Sequence, residues 1–350
     1  MVRGAQLMRA LMPTTLSLIA IFVASAALTW LMRRFALRYG IVDVPNQRSS
    51  HDEPTPRGGG MAIALVTTAV LAWLCWRGAL SVVQFYVLGA GGMGIALLGF
   101  LDDWRSLSTH QRLGVHLIVA VGATVLLGGL PPLRFGEHSV TLGWFGHVVC
   151  TLGIVWMLNL FNFMDGIDGL AASEGAFVGI AGAMILGNAA GLTLGIACAG
   201  FLIWNWPPAR VFMGDAGSGY LGFCIAGLAI IAGHENPVAM PVFLILSAVF
   251  VVDATVTFVR RIARNERYDV GHRTHGYQRL ARHWGSHRAV TLSVLLVNVV
   301  LLLPAATWAA RNPARAVAAA FGVVCLLFVV AVLVGSGKQE SRPASPGPRD

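Results

Sequence analysis

The feature that most constrains this chain is a series of long apolar runs that recurs from one end to the other. The runs are continuous and lack the alternation of apolar and polar residues that marks a membrane β-barrel. Of its 350 residues 56% are hydrophobic and 12% are charged, against about 25% charged in soluble domains. A water-soluble fold cannot bury so much apolar surface, and a bilayer admits only helices or closed barrels. The sequence therefore predicts an all-α polytopic membrane protein.

Eleven runs are predicted to cross the bilayer, because a crossing helix needs roughly 20 apolar residues, or fewer where flanking residues adjust. The predicted spans are 14–32, 61–76, 82–101, 114–130, 141–161, 170–186, 192–206, 219–232, 238–259, 289–308 and 314–334. They form a single membrane domain, residues 1–334. The polar tail, 335–350, is rich in Ser, Pro and Gly and is expected to be disordered.

The first run has some features of a signal peptide. Arg3 and Arg9 precede it, and residues 24–26 (Ala-Ser-Ala) look cleavable. However, its apolar residues continue to Met32 and stop at two arginines, which favours a retained span. The five cysteines all lie in apolar runs without CxxC spacing, so we expect small core residues and neither disulfides nor zinc.

The basic residues indicate the orientation of the spans. Most of the 25 lysines and arginines fall in the loops that follow odd-numbered spans and in the tail. Because positive residues mark the cytoplasmic side, the N-terminus is expected outside, in the periplasm, and the C-terminus in the cytoplasm. Short basic loops between apolar runs reflect membrane topology, so the net charge of +9 does not predict nucleic-acid binding.

Four polar clusters lie at the predicted cytoplasmic ends of spans. They are the pair Asp102-Asp103, the segment 159–170, the segment 205–219 and the segment 272–278. A single acid at a membrane edge is most often a solvated helix end. Ionisable groups close to lipid are costly, however, and four clusters on one face with nothing comparable opposite favour one shared functional site.

The residue types in these clusters indicate phosphate chemistry. Carboxylate and amide oxygens suit Mg²⁺, or alternatively Mn²⁺, and Mg²⁺ takes its remaining ligands from water and substrate phosphates. Acidic side chains cannot hold a diphosphate directly, because like charges repel. A divalent cation and the basic loop after the ninth span would neutralise it.

Two of the clusters contain long ordered motifs, NLFNFMDGIDGL at 159–170 and NWPPARVFMGDAGSGYLG at 205–222. They resemble those of the polyprenyl-phosphate N-acetylhexosamine-1-phosphate transferases, glycosyltransferase family 4. The resemblance runs from residue 43 through the loop after the ninth span. It implies a Mg²⁺-dependent enzyme of the bacterial inner membrane whose active site lies on the cytoplasmic face. Such an enzyme transfers a sugar 1-phosphate from a UDP-sugar to polyprenyl phosphate and releases UMP, as the first membrane step of a cell-surface glycan such as O-antigen.

The resemblance also assigns roles to individual residues. Those matched to metal binding are Asn162 and Asp215. Those matched to the acidic pair near the attacking lipid phosphate are Asp102 and Asp103. Those matched to the nucleoside pocket and donor are Asp165, Asp168, Gly169, Leu170, Asn205 and Phe212. Those matched to the basic loop near the diphosphate and sugar are His272, Arg273 and His275. The predicted catalytic residues are Asp102, Asp103, Asp215 and His272.

Two departures from the family pattern leave the donor sugar open. Ser106 stands where the family often has another Asp or a Lys, and the basic loop reads HRTHGYQ instead of a tight histidine run. This form resembles the branch that initiates O-antigen, whose donors are often deoxy-amino sugars. Asp253 has two readings, support of the site or a structural pair with an arginine, and Asp43 and Arg57 are expected to shape the entrance.

The main alternative function is a membrane transporter with a cytoplasm-facing acidic site. Transporter acids usually lie near the bilayer midplane on broken helices, whereas these lie at one edge. The Asp-Gly-x-x-Ala-Arg start of the CDP-linked phosphatidyltransferases is missing. The expected partners are a UDP-sugar, polyprenyl phosphate, the bilayer and a second copy of the chain in a homodimer.

Two mechanisms fit the predicted residues. In one, Asp103 attacks the phosphate that bears the sugar and forms an acyl-phosphate. In the other, the lipid phosphate attacks directly. Direct attack is favoured because the lipid phosphate is already an anionic nucleophile, and because neighbouring helical residues point about 100° apart and should not share one role.

Overall fold

The computed structural model describes residues 14–45, 53–136, 138–266 and 272–339, and these form a bundle of helices with two short antiparallel ladders. The helices are α1 (Thr15–Tyr39), α2 (Met61–Trp76), α3 (Val82–Arg105), α4 (Thr109–Leu127), α5 (Gly143–Phe163), α6 (Leu170–Leu186), α7 (Ala189–Asn205), α8 (Gly214–Glu235), α9 (Ala239–Leu246), α10 (Ala248–Ala263), α11 (Gly276–Trp284), α12 (His287–Arg311) and α13 (Ala316–Val334). The ladders pair β1 (Val42–Asp43) with β2 (Thr55–Pro56) and β3 (Leu133–Phe135) with β4 (His138–Val140). Single π-helical turns interrupt α3 at Tyr86–Gly91 and α12 at Asn298–Leu302.

The bundle confirms an all-α polytopic membrane protein. In the described part of the chain, 7 helices are long and apolar enough to cross a membrane: α1, α3, α4, α5, α8, α12, and α13 with the turn before it. The pair α9 and α10 passes the same test together, and α2, α6 and α7 are shorter apolar helices.

Several predicted span boundaries are wrong, and each has a local cause. α1 does not end at Met32 but continues to Tyr39, where Gly40 adopts the left-handed conformation that ends helices. α4 begins five residues early because Ser108 and Gln111 form a capping box at its start. α8 begins at Gly214, five residues before the predicted start, because the glycine-rich stretch is helical.

The predicted span 238–259 is not one straight helix. α9 and α10 meet at a bend of 71°. Ser247 lies at the junction, and its hydroxyl donates to the Phe243 carbonyl at 2.7 Å. A serine bonded to the preceding turn competes with the helical ladder and favours a bend.

α8 is the centre of the bundle. Its apolar window is 100% buried, whereas the windows of α1 and α4 are 17% buried and face the bilayer. α3, α5 and α9 pack around it. A polar cluster at the start of α8 is therefore surrounded by protein, which makes this helix end the natural place for a site.

α11 was missed as an element by the sequence analysis, because it is amphipathic and too polar to cross a membrane. The predicted disordered tail begins at Gly335. Residues 335–339 lie against the segment that precedes α11, and 340–350 lie outside the described residues.

Gly99 lets α3 approach α8 at its first turn. A Cβ atom at Gly99 would overlap the backbone of Asp215 and Ala216. Gly99→Ala is therefore expected to lower the thermal unfolding midpoint in detergent, since overpacking costs roughly 1–3 kcal/mol. Gly94→Ala is the matched control, because it lies in the same helix and its Cβ meets nothing within 4 Å. Equal unfolding midpoints for the two variants would contradict this close contact.

Candidate functional site

Asp103 anchors the N-terminus of α8. Its carboxylate accepts hydrogen bonds from the backbone amides of Asp215 at 3.1 Å and Ala216 at 3.3 Å. Arg57 donates to the same carboxylate through Nε at 2.9 Å and Nη2 at 2.6 Å. The Asp103 side chain is 0% exposed, and a Cβ at Gly214 would overlap it. A negative charge at a helix N-terminus satisfies unpaired amides and the helix dipole, so Asp103 fixes where α8 begins.

The segment that carries Arg57 is held against the start of α8. The amide of Phe212 donates to the Pro56 carbonyl at 2.8 Å, and the amide of Gly59 donates to the Phe212 carbonyl at 3.0 Å. Burial opposes the charge of Arg57, but the carboxylates of Asp103, Asp215 and Asp43 together outweigh it and raise the pKa of the guanidinium. Arg57 therefore stays charged beside Asp103.

Arg112 joins two further carboxylates. Its Nη1 donates to Asp102 Oδ2 at 2.8 Å and to Asp215 Oδ2 at 2.6 Å. Asp102 also accepts the amide of Leu107. Neighbouring Asp102 and Asp103 thus bind different cations, as their angular separation on the helix predicts.

Asp215 is the more accessible carboxylate of this group, with 23% of its side chain exposed. Its Oδ1 accepts from Asn162 Nδ2 at 2.9 Å, and the same Asn162 nitrogen lies 3.2 Å from the Ser218 hydroxyl. The end of α5 and the start of α8 therefore present one carboxylate and one amide side by side.

Asp165 and Asp168 follow α5 and have different surroundings. Asp165 has no side-chain hydrogen-bond partner among the described residues. Burial raises its pKa well above the usual range, and the charges of Asp215, Asp103 and Asp168 raise it further. Asp168 accepts the amide of Ala209 at 3.0 Å and lies 3.4 Å from His287 Nδ1. Among the described residues of this site, the carboxylates therefore outnumber the arginines that pair with them.

Two histidines stack at the edge of the site. The ring centroids of His272 and His275 lie 4.9 Å apart, and the Tyr277 ring lies 5.7 Å from His275. Burial is the main cause that lowers the pKa of both histidines, with His275 and Arg261 adding to the effect at His272, whose pKa falls to about 3. Both rings are therefore neutral near pH 7, and the buried Nδ1 of His275 has no hydrogen-bond partner among the described residues.

A cavity of about 700 Å³ brings these groups together. Its polar end is formed by Arg112, Asn162, Asp215, His272 and His275. Its other walls, from α4, α5 and α10, are mostly apolar, with Leu113, Leu152, Val155, Trp156 and Phe258, although His116 and Asn159 also line them. Such a cavity fits a molecule with a charged head and an apolar chain.

Comparisons with known proteins agree with this geometry. The family model described as Glycosyl transferase family 4 matches residues 85–233, which include Asp102, Asp103, Asn162 and Asp215. The chain is 28% identical over 329 residues to a probable undecaprenyl-phosphate N-acetylglucosaminyl 1-phosphate transferase of Bacillus subtilis, covering 90% of each protein. It is also 28% identical over 279 residues to the undecaprenyl-phosphate alpha-N-acetylglucosaminyl 1-phosphate transferase of Escherichia coli, covering 73% of this chain and 72% of the relative.

The chain is therefore similar to glycosyl transferase family 4 over residues 85–233, and to these two transferases over most of its length. A third relative is similar over part of the chain. The phospho-N-acetylmuramoyl-pentapeptide-transferase of Moorella thermoacetica is 36% identical over 181 residues, which is 46% of this chain and 55% of that protein.

Part of the predicted site lines the cavity and part supports it. Asn162, Asp215, His272 and His275 line it, whereas Asp102 and Asp103 lie behind it. The residues predicted for the nucleoside pocket and donor do not line the cavity: Asp165, Asp168, Gly169, Leu170, Asn205 and Phe212. Arg273 does not line the cavity and has other contacts.

The predicted nucleoside residues are nevertheless joined to one another. Asn205 Oδ1 accepts the Gly169 amide at 3.1 Å, and its Nδ2 donates to the Val211 carbonyl at 3.0 Å. Asn205 and Leu170 are 2% and 1% exposed. Their side chains hold the loop between α7 and α8 against the start of α6, and direct nucleotide contact stays a prediction.

Sequence analysis missed Arg112 as a site residue. It was counted only among the basic loop residues, yet it bridges two of the predicted acids. Its position near the same membrane edge as Asp102 was the available signal. Tyr277 was also missed, although its hydroxyl donates to the Phe163 carbonyl at 2.8 Å and so ties α11 to the end of α5.

The lowered pKa of His272 predicts a pH dependence of stability. The ordinary histidine pKa of about 6.5 applies to the unfolded chain. Between that pH and about 3, residue 272 therefore binds a proton in the unfolded chain but not in the folded protein. Stability is therefore present above about pH 6.5 and is lost as the pH falls. The test compares thermal midpoints at about pH 7.5 and about pH 5, on either side of the ordinary histidine pKa. Between these values the midpoint of His272→Asn is expected to fall less than that of the wild type. His138→Asn, at an exposed residue of β4, is the control, and identical pH dependence in all three proteins would contradict the assignment.

Proposed function

We propose that this protein transfers a sugar 1-phosphate from a UDP-sugar to polyprenyl phosphate, forming polyprenyl-diphospho-sugar and releasing UMP. The observation that carries this proposal is the cavity with a charged end at Asp215 and apolar walls at Trp156 and Phe258. A polyprenyl phosphate has the same division into an anionic head and an apolar chain. The names of the relatives in Bacillus subtilis and Escherichia coli support the same reaction.

A divalent cation, Mg²⁺ or Mn²⁺, is part of the proposal. No group of three or more His, Cys, Asp or Glu residues in the described ranges forms a metal cage. Mg²⁺ needs only one or two protein carboxylates when substrate phosphates and water complete its shell. Asp215, accessible and beside the Asn162 amide, fits that requirement, and the surplus of carboxylates around Asp165 favours a cation. Asn162 and Asp215 would hold the ion, which would neutralise diphosphate charge when bound.

Other side chains of the site would bind the substrate phosphates and position them. Phosphoryl transfer depends mostly on positioning and charge neutralisation. Arg112 lies at the polar end of the cavity and would bind phosphate oxygens, while the neutral rings of His272 and His275 would donate or accept hydrogen bonds without adding charge. Asp103 has both carboxylate oxygens occupied and lies behind the cavity, which supports direct attack by the lipid phosphate.

We also propose eleven membrane crossings with the N-terminus outside. The 7 long spans, the one bent pair and the three short apolar helices α2, α6 and α7 add up to this number. The excess of arginines in the loops after odd-numbered spans supports a cytoplasmic site and C-terminus. The location would then be the bacterial cytoplasmic membrane, and a homodimer remains part of the proposal.

The proposed donor is an N-acetylated hexosamine or a deoxy-amino relative. The relatives in Bacillus subtilis and Escherichia coli are named as N-acetylglucosaminyl 1-phosphate transferases, the first as a probable one, which supports the N-acetyl group. The proposal includes the deoxy-amino sugars of O-antigen pathways, because segment 272–278 is not a tight histidine run. A transporter has less support, because the acids lie at helix ends beside a family 4 motif.

The direct test is UMP release by the purified protein. We expect UMP from UDP-N-acetylglucosamine only when both undecaprenyl phosphate and Mg²⁺ are present. Asp215→Asn should lower turnover on the order of a hundredfold or more, as losses of groups that stabilise transition-state charge do. Glu235→Gln, at the opposite end of α8, is the control and should behave as the wild type. UMP release without lipid, or full activity of Asp215→Asn at saturating Mg²⁺, would overturn the proposal.

The same assay in sealed vesicles tests the orientation. UDP-sugar added outside should be used by inverted vesicles, whose cytoplasmic face is outward, and not by right-side-out vesicles. Equal use by both, with the seal confirmed, would contradict a site on the cytoplasmic face.

A further inference from the structure

The histidine segment, residues 272–275, is held in place by other parts of the chain. Its internal contacts are weak: the Thr274 hydroxyl lies 3.0 Å from His272 Nδ1, and the segment has no helix or strand before α11. Two other parts of the chain bind it firmly, and neither of them lines the cavity. One is the Asp253 carboxylate, and the other is the C-terminal strap, which we define as residues 335–339.

Asp253 holds the N-terminus of α11. It lies in α10, 7% exposed, and accepts the amides of Gly276 at 2.8 Å and Tyr277 at 3.1 Å. These amides have no partner within the helix, and a carboxylate also suits the positive end of α11. A Cβ at Gly276 would lie 3.2 Å from the Asp253 carboxylate and 2.5 Å from the Ser336 hydroxyl oxygen, so only glycine fits between the two anchors.

The strap holds the other side of the segment. The amide of Gly337 donates to the Thr274 carbonyl at 2.7 Å. The strap is itself fixed to α10 and its end, because Arg260 donates to the Ser336 carbonyl at 2.6 Å and Arg264 donates to the Gly337 carbonyl at 2.5 Å.

Both the backbone conformation and the surroundings of Gly337 require glycine. It has a φ of 74°, and a Cβ there would lie 2.9 Å from the Thr257 Cα. A side chain at this position would be strained in its backbone and would collide with α10. The strap therefore depends on glycine at the residue whose amide reaches Thr274.

We propose that Asp253 and the C-terminal strap are positioning elements that hold His272 and His275 at the polar end of the cavity. The proposal rests on the proposed function, since it assigns these residues to the alignment of the transferred group. Asp253 binds the N-terminus of α11, whose first residue follows His275, and the strap binds Thr274 between the two histidines. The strap follows the last membrane helix, so it reaches the site without forming part of any span.

The test compares two glycine-to-alanine variants. Gly337→Ala should displace the strap and lower turnover between about tenfold and a hundredfold, since small misplacements of reacting groups cost that much. Gly322→Ala lies in α13, and its Cβ meets nothing within 4 Å, so it should keep wild-type turnover. UMP affinity, measured by calorimetry, should stay unchanged in both, because the predicted nucleoside residues are elsewhere. Equal turnover of the two variants, or a parallel loss of UMP affinity, would overturn the proposal.

Asp253→Asn and two shortened chains extend the test. The two amides donate to different oxygens of Asp253, and Asn would place an NH₂ group against one of them, so Asp253→Asn should reproduce the effect of Gly337→Ala. A chain ending at residue 339 keeps the strap and should be fully active, whereas one ending at residue 334 should not be. Similar turnover of the two shortened chains would contradict the role of the strap.

One measurement separates this inference from the proposed function. A cysteine placed at Thr274 should react faster with a water-soluble maleimide when Gly337→Ala is present than when Gly322→Ala is present. If the wild type releases no UMP, the proposed function fails. The labelling rates then still show whether the strap holds the histidine segment in place. Equal rates would overturn the positioning role whether or not the protein is active.

Discussion

The contact between Asp103 and the N-terminus of α8 is the constraint on which the rest of the site depends. One buried carboxylate binds two backbone amides of α8 and the guanidinium of Arg57, and so joins α3, α8 and the segment after β2. Removing one partner of such a pair leaves an uncompensated buried charge, which typically costs about 3–5 kcal/mol. Because α8 begins where Asp103 holds it, Asp215 in its first turn faces Asn162 and Arg112.

The anchor explains how a membrane protein can gather so many charges at one place. Ionisable groups near lipid are expensive unless they are paired. Asp103 pairs with Arg57, and Asp102 and Asp215 share Arg112. Burial raises the pKa of Asp165, and the charges of Asp215, Asp103 and Asp168 raise it further. The remaining negative charge is what a bound cation would balance, and the neutral histidines across the cavity do not compete for that role.

Much of the fold and site could be predicted from the sequence, because apolar runs and ordered motifs are local signals. α2 and α6 have the predicted bounds, and the motifs that contain Asn162 and Asp215 do meet at the cavity. The bend between α9 and α10 could not be predicted, since it depends on one serine bonding to its own preceding turn.

The partners of residues that lie far apart in the chain could not be predicted from the sequence either. Arg112 is 103 residues from its partner Asp215, and only packing shows that it joins the site. Asp253 had two readings from its position, and the structure assigns its carboxylate to the amides of α11. A sequence shows which side chains can carry charge, but not which amide each one reaches.

If Asp103 anchors α8, it is not free to act as a nucleophile, and the lipid phosphate would attack the donor directly. The most direct test is a rapid-quench measurement of UMP formed from UDP-sugar and Mg²⁺ when no polyprenyl phosphate is present. Because Asp103 is bound to Arg57 and to the start of α8, we expect no burst of UMP and no phospho-sugar attached to the protein. A burst of one UMP per enzyme, with a covalent phospho-sugar on Asp103, would contradict it.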